Sequence, residues 1–210
     1  MDSARWFIGF GFDAIMELIS FVIAFAVAYQ AFKGYRLTRE RTFLYLQFSF
    51  VLLAAGLLVD GLSTIFVLLA RTGARLLGVS SLGYTIFFFA QLTAYLILVC
   101  AYLQKTRTLA AESLALSILP VLPVLGYTPT GELILIFLLF FITAQTLINY
   151  SVRRTSGSLL VMFAFTMLTL SHAFFLLMLF DARLFVLAHV AQLSGFVLLL
   201  VMLLQVNRSA

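Results

Sequence analysis

The chain has 210 residues, of which 64% are apolar and only 10% charged, against roughly 25% charged in an ordinary soluble domain. Its formal net charge is +5, from 13 basic and 8 acidic residues. That composition excludes a soluble enzyme domain, a nucleic-acid binder and a disordered chain, because it needs lipid as its solvent.

Seven apolar stretches reach or approach the roughly 20 residues that span a bilayer as helix: 7–32, 43–70, 82–104, 109–126, 132–150, 158–180 and 184–206. They predict an all-α integral membrane protein with seven transmembrane helices. A closed barrel does not fit, since barrel strands alternate apolar and polar residues and these runs are apolar on every side. The stretches consume nearly the whole sequence, so no attached output domain is expected after Asn207.

In chain order, the first stretch carries Asp13 and Glu17 near its start. Residues 18–25 followed by Ala26-Val27-Ala28 have the pattern of a secretory h-region and cleavage site, but Asp2 offsets Arg5 ahead of it, and the duplication below predicts that the segment is retained. The second stretch carries Asp60 in its interior. An outer loop or short interfacial helix is expected around Arg71 to Ser81. The third stretch holds Gln91 and the single cysteine, Cys100, read as a small apolar filler. The fourth contains Pro120 and Pro123, with Pro129 after it, and is expected to be kinked or short. The fifth opens at Glu132. The sixth carries Ser171 and His172, and the turn Asp181-Ala182-Arg183 leads to the seventh, with His189 and Gln192.

Basic residues favour the cytoplasmic side of short loops. Lys33, Arg36, Arg39, Arg41, Lys105, Arg107, Arg153, Arg154 and Arg208 follow the first, third, fifth and seventh stretches, whereas Arg5, Arg71, Arg75 and Arg183 fall on the other side. The predicted topology is N-terminus out and C-terminus in, in the cytoplasmic membrane of a prokaryote. Membrane lipid is the first partner expected; a homo-oligomer or a partner membrane subunit is the second, and nucleic acid is not expected.

The sequence is also duplicated. Laid over 132–170 at a fixed offset of 115, residues 17–55 give 11 identities in 39 positions, among them Glu17 with Glu132, Gln30 with Gln145, Tyr35 with Tyr150 and Arg39 with Arg154. The third stretch matches the seventh at an offset of 101: Ala90-Gln91-Leu92 falls on Ala191-Gln192-Leu193, and Arg107 on Arg208. Two parallel three-helix repeats joined by a linking helix follow (3+1+3): residues 1–108, then 109–131, then 132–210. An odd-numbered unit plus one linker gives both copies the same orientation, about an axis along the membrane normal. This plan resembles the architecture of sugar-transporting SWEET proteins and of TRIC cation channels, although the chain carries neither the Pro-Gln motif of the first nor the glycine triplet of the second.

Ionisable residues at bilayer depth are functional candidates by default. Glu17 and Glu132 lie about 27 Å from Tyr35 and Tyr150 at about 1.5 Å per residue, close to the outer interface, with Asp13 further out. They form an outer-entrance acidic group, with wet carboxylates at helix starts as the plainer reading. Asp60 lies inside the second stretch and should face the bundle interior. His172 and His189 fall within roughly 5 Å of each other in depth, and their readings are a structural pair, a proton or cation site, or ligands of a haem or metal ion. Gln91 and Gln192 are matched, and are either interhelical glue or the lining of a path. No catalytic group is expected: Ser171 and His172 are adjacent on a helix and point apart, and no phosphate loop is present.

Three functions follow. The favoured one is a small transporter or proton- or cation-conducting protein using Asp60, His172, His189, Gln91 and Gln192. The second is a non-catalytic anchor or sensor subunit of a larger complex. The third is a membrane redox protein with His172 and His189 as haem or metal ligands. No cofactor is favoured, and the residues point away from an enzyme.

Overall fold

The structure, a computed structural model, describes residues 3–70, 77–106 and 129–209. It is all helical in these segments: α1 (Ser3–Thr38), α2 (Arg41–Ala70), α3 (Leu77–Thr106), α4 (Pro129–Arg153), α5 (Ser156–Leu177) and α6 (Leu184–Ser209). All six are long and apolar enough to cross a membrane, so the chain is an all-α polytopic membrane protein. The expected stretch 109–126, with Pro120 and Pro123, lies outside the described residues, as do Arg71, Arg75 and Arg107.

Four boundaries differ from the sequence reading. α1 starts before residue 7 and runs without a break through Ala26 to Ala28, where Val27 and Ala28 are buried in the core. α3 starts at Leu77, so 77–81 is helix and not loop. Pro129 opens α4 instead of ending a linker; a proline is suited to a first helical position, where its missing N–H has no partner to lose. α5 ends at Leu177, with a turn leading to Asp181, whose carboxylate accepts the Arg183 N–H at 2.9 Å.

The helix starts and stops have local causes. Thr155 caps α5 in a reciprocal box: its hydroxyl accepts the Ser158 N–H, and Ser158 Oγ accepts the Thr155 N–H, both at 3.2 Å. Arg39 and Arg154 end α1 and α4 with positive φ, 58° and 48°. Each returns its N–H to a tyrosine carbonyl four residues back, the left-handed stop that orients the following helix.

The six helices pack as a closed ring. α1 packs on α2, α2 on α3, α3 on α4, α4 on α5, α5 on α6, and α6 returns to α1. Neighbours are antiparallel within α1–α3 and within α4–α6, and parallel where α3 meets α4 and where α6 meets α1. Two cavities show this, since the starts of α1, α3, α4 and α6 line one together with the ends of α2 and α5, while the starts of α2 and α5 line the other with the ends of α3, α4 and α6. The end carrying the second cavity also carries exposed Lys33, Arg36, Arg39, Arg41, Arg153, Arg154 and Arg208; it is called the basic end below, and the other the acidic end. Ile15, Ile19, Val22, Phe25 and Tyr29 form an outward stripe on α1 at helical spacing. Such apolar stripes face lipid in a membrane protein.

Helices approach closely at two crossings, one fastened by a serine and the other dependent on a glycine. Ser49 Oγ donates to the Ala94 carbonyl at 3.0 Å where α2 meets α3. A Cβ on Gly195 would stand 2.9 Å from the Ala164 carbonyl where α5 meets α6. The ring is filled at mid-height by Phe50, Leu53, Tyr95, Leu168 and Phe196, all fully buried. Phe50 and Phe196 meet edge to face with centroids 5.5 Å apart, linking α2 to α6 across the ring.

Candidate functional site

The cavity at the acidic end has a volume of about 410 Å³. It is lined by all eight residues singled out in the sequence: Asp13 and Glu17 from α1, Asp60 from α2, Gln91 from α3, Glu132 from α4, His172 from α5, and His189 and Gln192 from α6. Every helix therefore contributes a polar group. Apolar faces elsewhere on each helix drive the packing, and these residues are carried inward because the hydrocarbon side cannot take them.

Glu132, in the first turn of α4, is the centre of one network. His172 Nδ1 donates to Glu132 Oε2 at 2.8 Å, and Tyr84 Oη donates to Glu132 Oε1 at 3.2 Å. The other nitrogen of the same imidazole, Nε2, lies 3.3 Å from Tyr95 Oη and accepts that hydroxyl when the ring is neutral. The chain Tyr84–Glu132–His172–Tyr95 thus runs from the cavity wall to the packed centre of the ring. Both Glu132 oxygens have donors.

Asp13, Glu17 and Asp60 form the second group. His189 Nε2 donates to Asp13 Oδ1 at 3.0 Å. Glu17 packs on α2 beside Asp60, where a Cβ on Gly61 would stand 3.4 Å from Glu17 Oε2, and that oxygen meets no donor. Ser63 Oγ donates to the Asp60 carbonyl at 2.8 Å. Gly83 lies against the Ser63 side chain, and a Cβ there would be 3.2 Å from Asp60 Oδ1. Only a glycine lets α3 approach this turn of α2 so closely.

The expected proximity of His172 and His189 is realised in depth but not as a pair. The Phe175 ring stands between them, with centroids 6.2 Å from His172 and 5.1 Å from His189, and each histidine engages its own carboxylate. The reading of Glu17 and Glu132 as wet interfacial acids is corrected as well: both are buried, because their helix faces turn into the ring. Gln30, matched with Gln145 in the sequence, is interhelical glue, accepting Asn207 Nδ2 at 2.9 Å through its side chain.

Sequence reasoning missed Tyr84, Tyr95 and Ser20. Tyr84, Gln91 and Tyr95 lie at spacings of seven and four, and Glu17 and Ser20 at three, so each group shares one helix face. Those spacings were the available signal.

The second cavity, about 290 Å³, lies at the basic end, where Tyr102, Thr146, Asn149 and Arg153 are among its lining residues. On α3 the two cavities stop at Gln91 and Leu98, on α5 at His172 and Phe165, and on α6 at Gln192 and Leu199. The packed layer between them is therefore about 10 Å thick at 1.5 Å per residue. Among the described residues, no group of three His, Cys, Asp or Glu side chains is arranged to hold a metal ion. The chain matches no known protein family, no curated protein and no solved structure.

Proposed function

We propose that this chain is a small transporter that moves protons or cations. Its polar site is the acidic cavity between two three-helix halves, in the outer part of the bilayer. One observation carries the reading. Nine ionisable or amide side chains from all six helices line a single cavity, and a packed layer about 10 Å deep, at 1.5 Å per residue, divides it from a second cavity at the opposite end. Two half-paths closed off by an apolar layer are what alternating access to a membrane-embedded site requires.

The roles follow from the contacts. Glu17 and Asp60 hold and release a proton. His172 and Glu132 pass charge between Tyr84 and Tyr95. Gln91 and Gln192 orient a solute.

The two-copy plan has its own support. The left-handed stops at Arg39 and Arg154 are 115 residues apart. The crossings at Ser49–Ala94 and Ala164–Gly195 are related by the same two offsets, 115 and 101. Seven spans are part of the proposal. α3 ends at the basic end and α4 starts at the acidic end, which supports the proposal of a seventh span between them. The intervening residues 107–128 reach about 33 Å as helix, against a hydrocarbon core of about 30 Å. Exposed cations at the basic end favour N-out, C-in orientation in a cytoplasmic membrane. The haem or metal alternative asks for a free nitrogen on both histidines; both His172 nitrogens already have partners.

The test is flux into proteoliposomes under an imposed pH gradient. Asp60→Asn and His172→Ala are expected to lower proton-linked flux about a hundredfold, the scale of losing a positioned acid or base. Unchanged flux in both variants, with lowered thermal stability alone, would leave the polar residues as interhelical glue and favour the anchor or sensor reading.

A further inference from the structure

Glu17 and Glu132 are matched in the sequence and line the same cavity, yet they are served differently. Glu132 accepts hydrogen bonds from His172 and Tyr84. Glu17, only 6% exposed, has an Oε2 that meets no donor. Ser20, 1% exposed and one turn along α1, also lines the cavity with a hydroxyl that has no partner. Native structures rarely leave such buried groups unserved. Both residues line the cavity, so a small shift of either side chain would bring an entering donor within reach.

The charge of the wall selects the donor. Asp13, Glu17, Asp60 and Glu132 line the cavity, and none of its described lining residues is Lys or Arg. Its apolar wall includes a three-ring cluster: His189 is 4.6 Å from Phe185 and 5.1 Å from Phe175, centroid to centroid. Aromatic rings attract cations through their faces. A volume of about 410 Å³ lies in the range of small-molecule sites, roughly 300–1,000 Å³, and far exceeds what a bare ion fills.

Resting on the transport reading above, the geometry points to a small organic ammonium ion as the cargo of the acidic cavity, its N–H groups on Glu17, Asp60 and Ser20 and its carbon skeleton against Phe175 and Phe185. Among the described residues, the other titratable groups facing the site are Asp13, Tyr84, Glu132, His172 and His189, and none supplies a fixed positive charge.

Calorimetric titration of the detergent-purified full chain tests this with ethylammonium chloride, against ethanol as neutral isostere and potassium chloride as inorganic cation. Saturable ethylammonium binding is expected, with neither control saturating. The double variant Glu17→Gln, Asp60→Asn is expected to bind about tenfold more weakly or worse, the scale of one lost charged contact. Ser20→Ala, which removes no charge, should weaken binding about fivefold and decides the matter if the double variant does not fold. Absent ethylammonium binding, equally tight potassium binding, or unchanged affinity in a folded variant each overturns the assignment. Proton flux that persists in proteoliposomes without ethylammonium binding overturns the cargo alone and leaves the transport reading standing.

Discussion

Arg39 and Arg154 adopt the same left-handed backbone, at φ 58° and 48°, and each donates its N–H to a tyrosine carbonyl, Tyr35 at 2.8 Å and Tyr150 at 2.9 Å. A residue with a Cβ pays about 1 kcal/mol or more for that conformation, which glycine adopts freely. The two arginines are retained at the end of the bundle where exposed cations gather, so charge has been kept there over backbone ease.

Arg39→Gly and Arg154→Gly are accordingly expected to raise stability by about 0.5–1 kcal/mol each. The gain should read as a higher melting temperature in detergent. A fall in both variants would show that the arginine side chains, not the backbone, hold these turns.

Gly195 lies where α6 meets α5. A Cβ there would stand 2.8 Å from Leu168 Cγ and 2.9 Å from a backbone oxygen. Gly195→Ala should destabilise by about 1–3 kcal/mol, as over-packing does. Gly11 in α1 has nothing within 4 Å of its Cβ position, and Gly11→Ala should stabilise by about 0.5–1 kcal/mol through helix propensity. Opposite signs from the same substitution, followed by thermal unfolding, are the check.

His172 and Glu132 are buried together, with side-chain exposures of 3% and 5%. Removing one partner strands the other, so His172→Ala should cost about 3 kcal/mol or more. Tyr95→Phe removes only the hydroxyl that meets Nε2 and should cost about 1 kcal/mol. Asp13, in the other pair, is 26% exposed, so Asp13→Asn should fall well short of His172→Ala. Denaturant unfolding of the three variants side by side ranks them.

The aromatic layer makes a separate prediction. Phe196→Ala empties a fully buried site against Phe50 and should cost about 3–5 kcal/mol. It should also open an uncoupled leak between the two cavities, seen as dissipation of a pH gradient without added solute. Wild-type tightness in a folded Phe196→Ala protein would place the barrier elsewhere.

The spans were legible because a run of about twenty apolar residues has few alternatives to a membrane helix. Depth was legible too: His172 and His189 were expected at similar height, and Phe175 touches both rings. Rotation about each helix axis was not. Glu17 and Glu132 read as interfacial because counting along a helix says how deep a residue lies, not which way it faces. The partner of His172 is Glu132, 40 residues away on another helix, and no local spacing announces such a contact. Tyr84 and Tyr95 were invisible for another reason: tyrosine is common enough in apolar helices to pass as packing until its hydroxyl is seen to have a partner.

The ring closes at two seams between α1–α3 and α4–α6, and both are fastened by ionisable groups. Asp13 holds His189 where α1 meets α6, and Tyr84 holds Glu132 where α3 meets α4. Within each trio the crossings are tight and carry polar contacts of their own, Ser49 on Ala94 in the first and His172 on Glu132 in the second. A rocking of one trio against the other would thus have to unclasp both pairs together, while the trios themselves travel as blocks. Since all four clasping residues line the acidic cavity, whatever fills that cavity sits where the motion is gated.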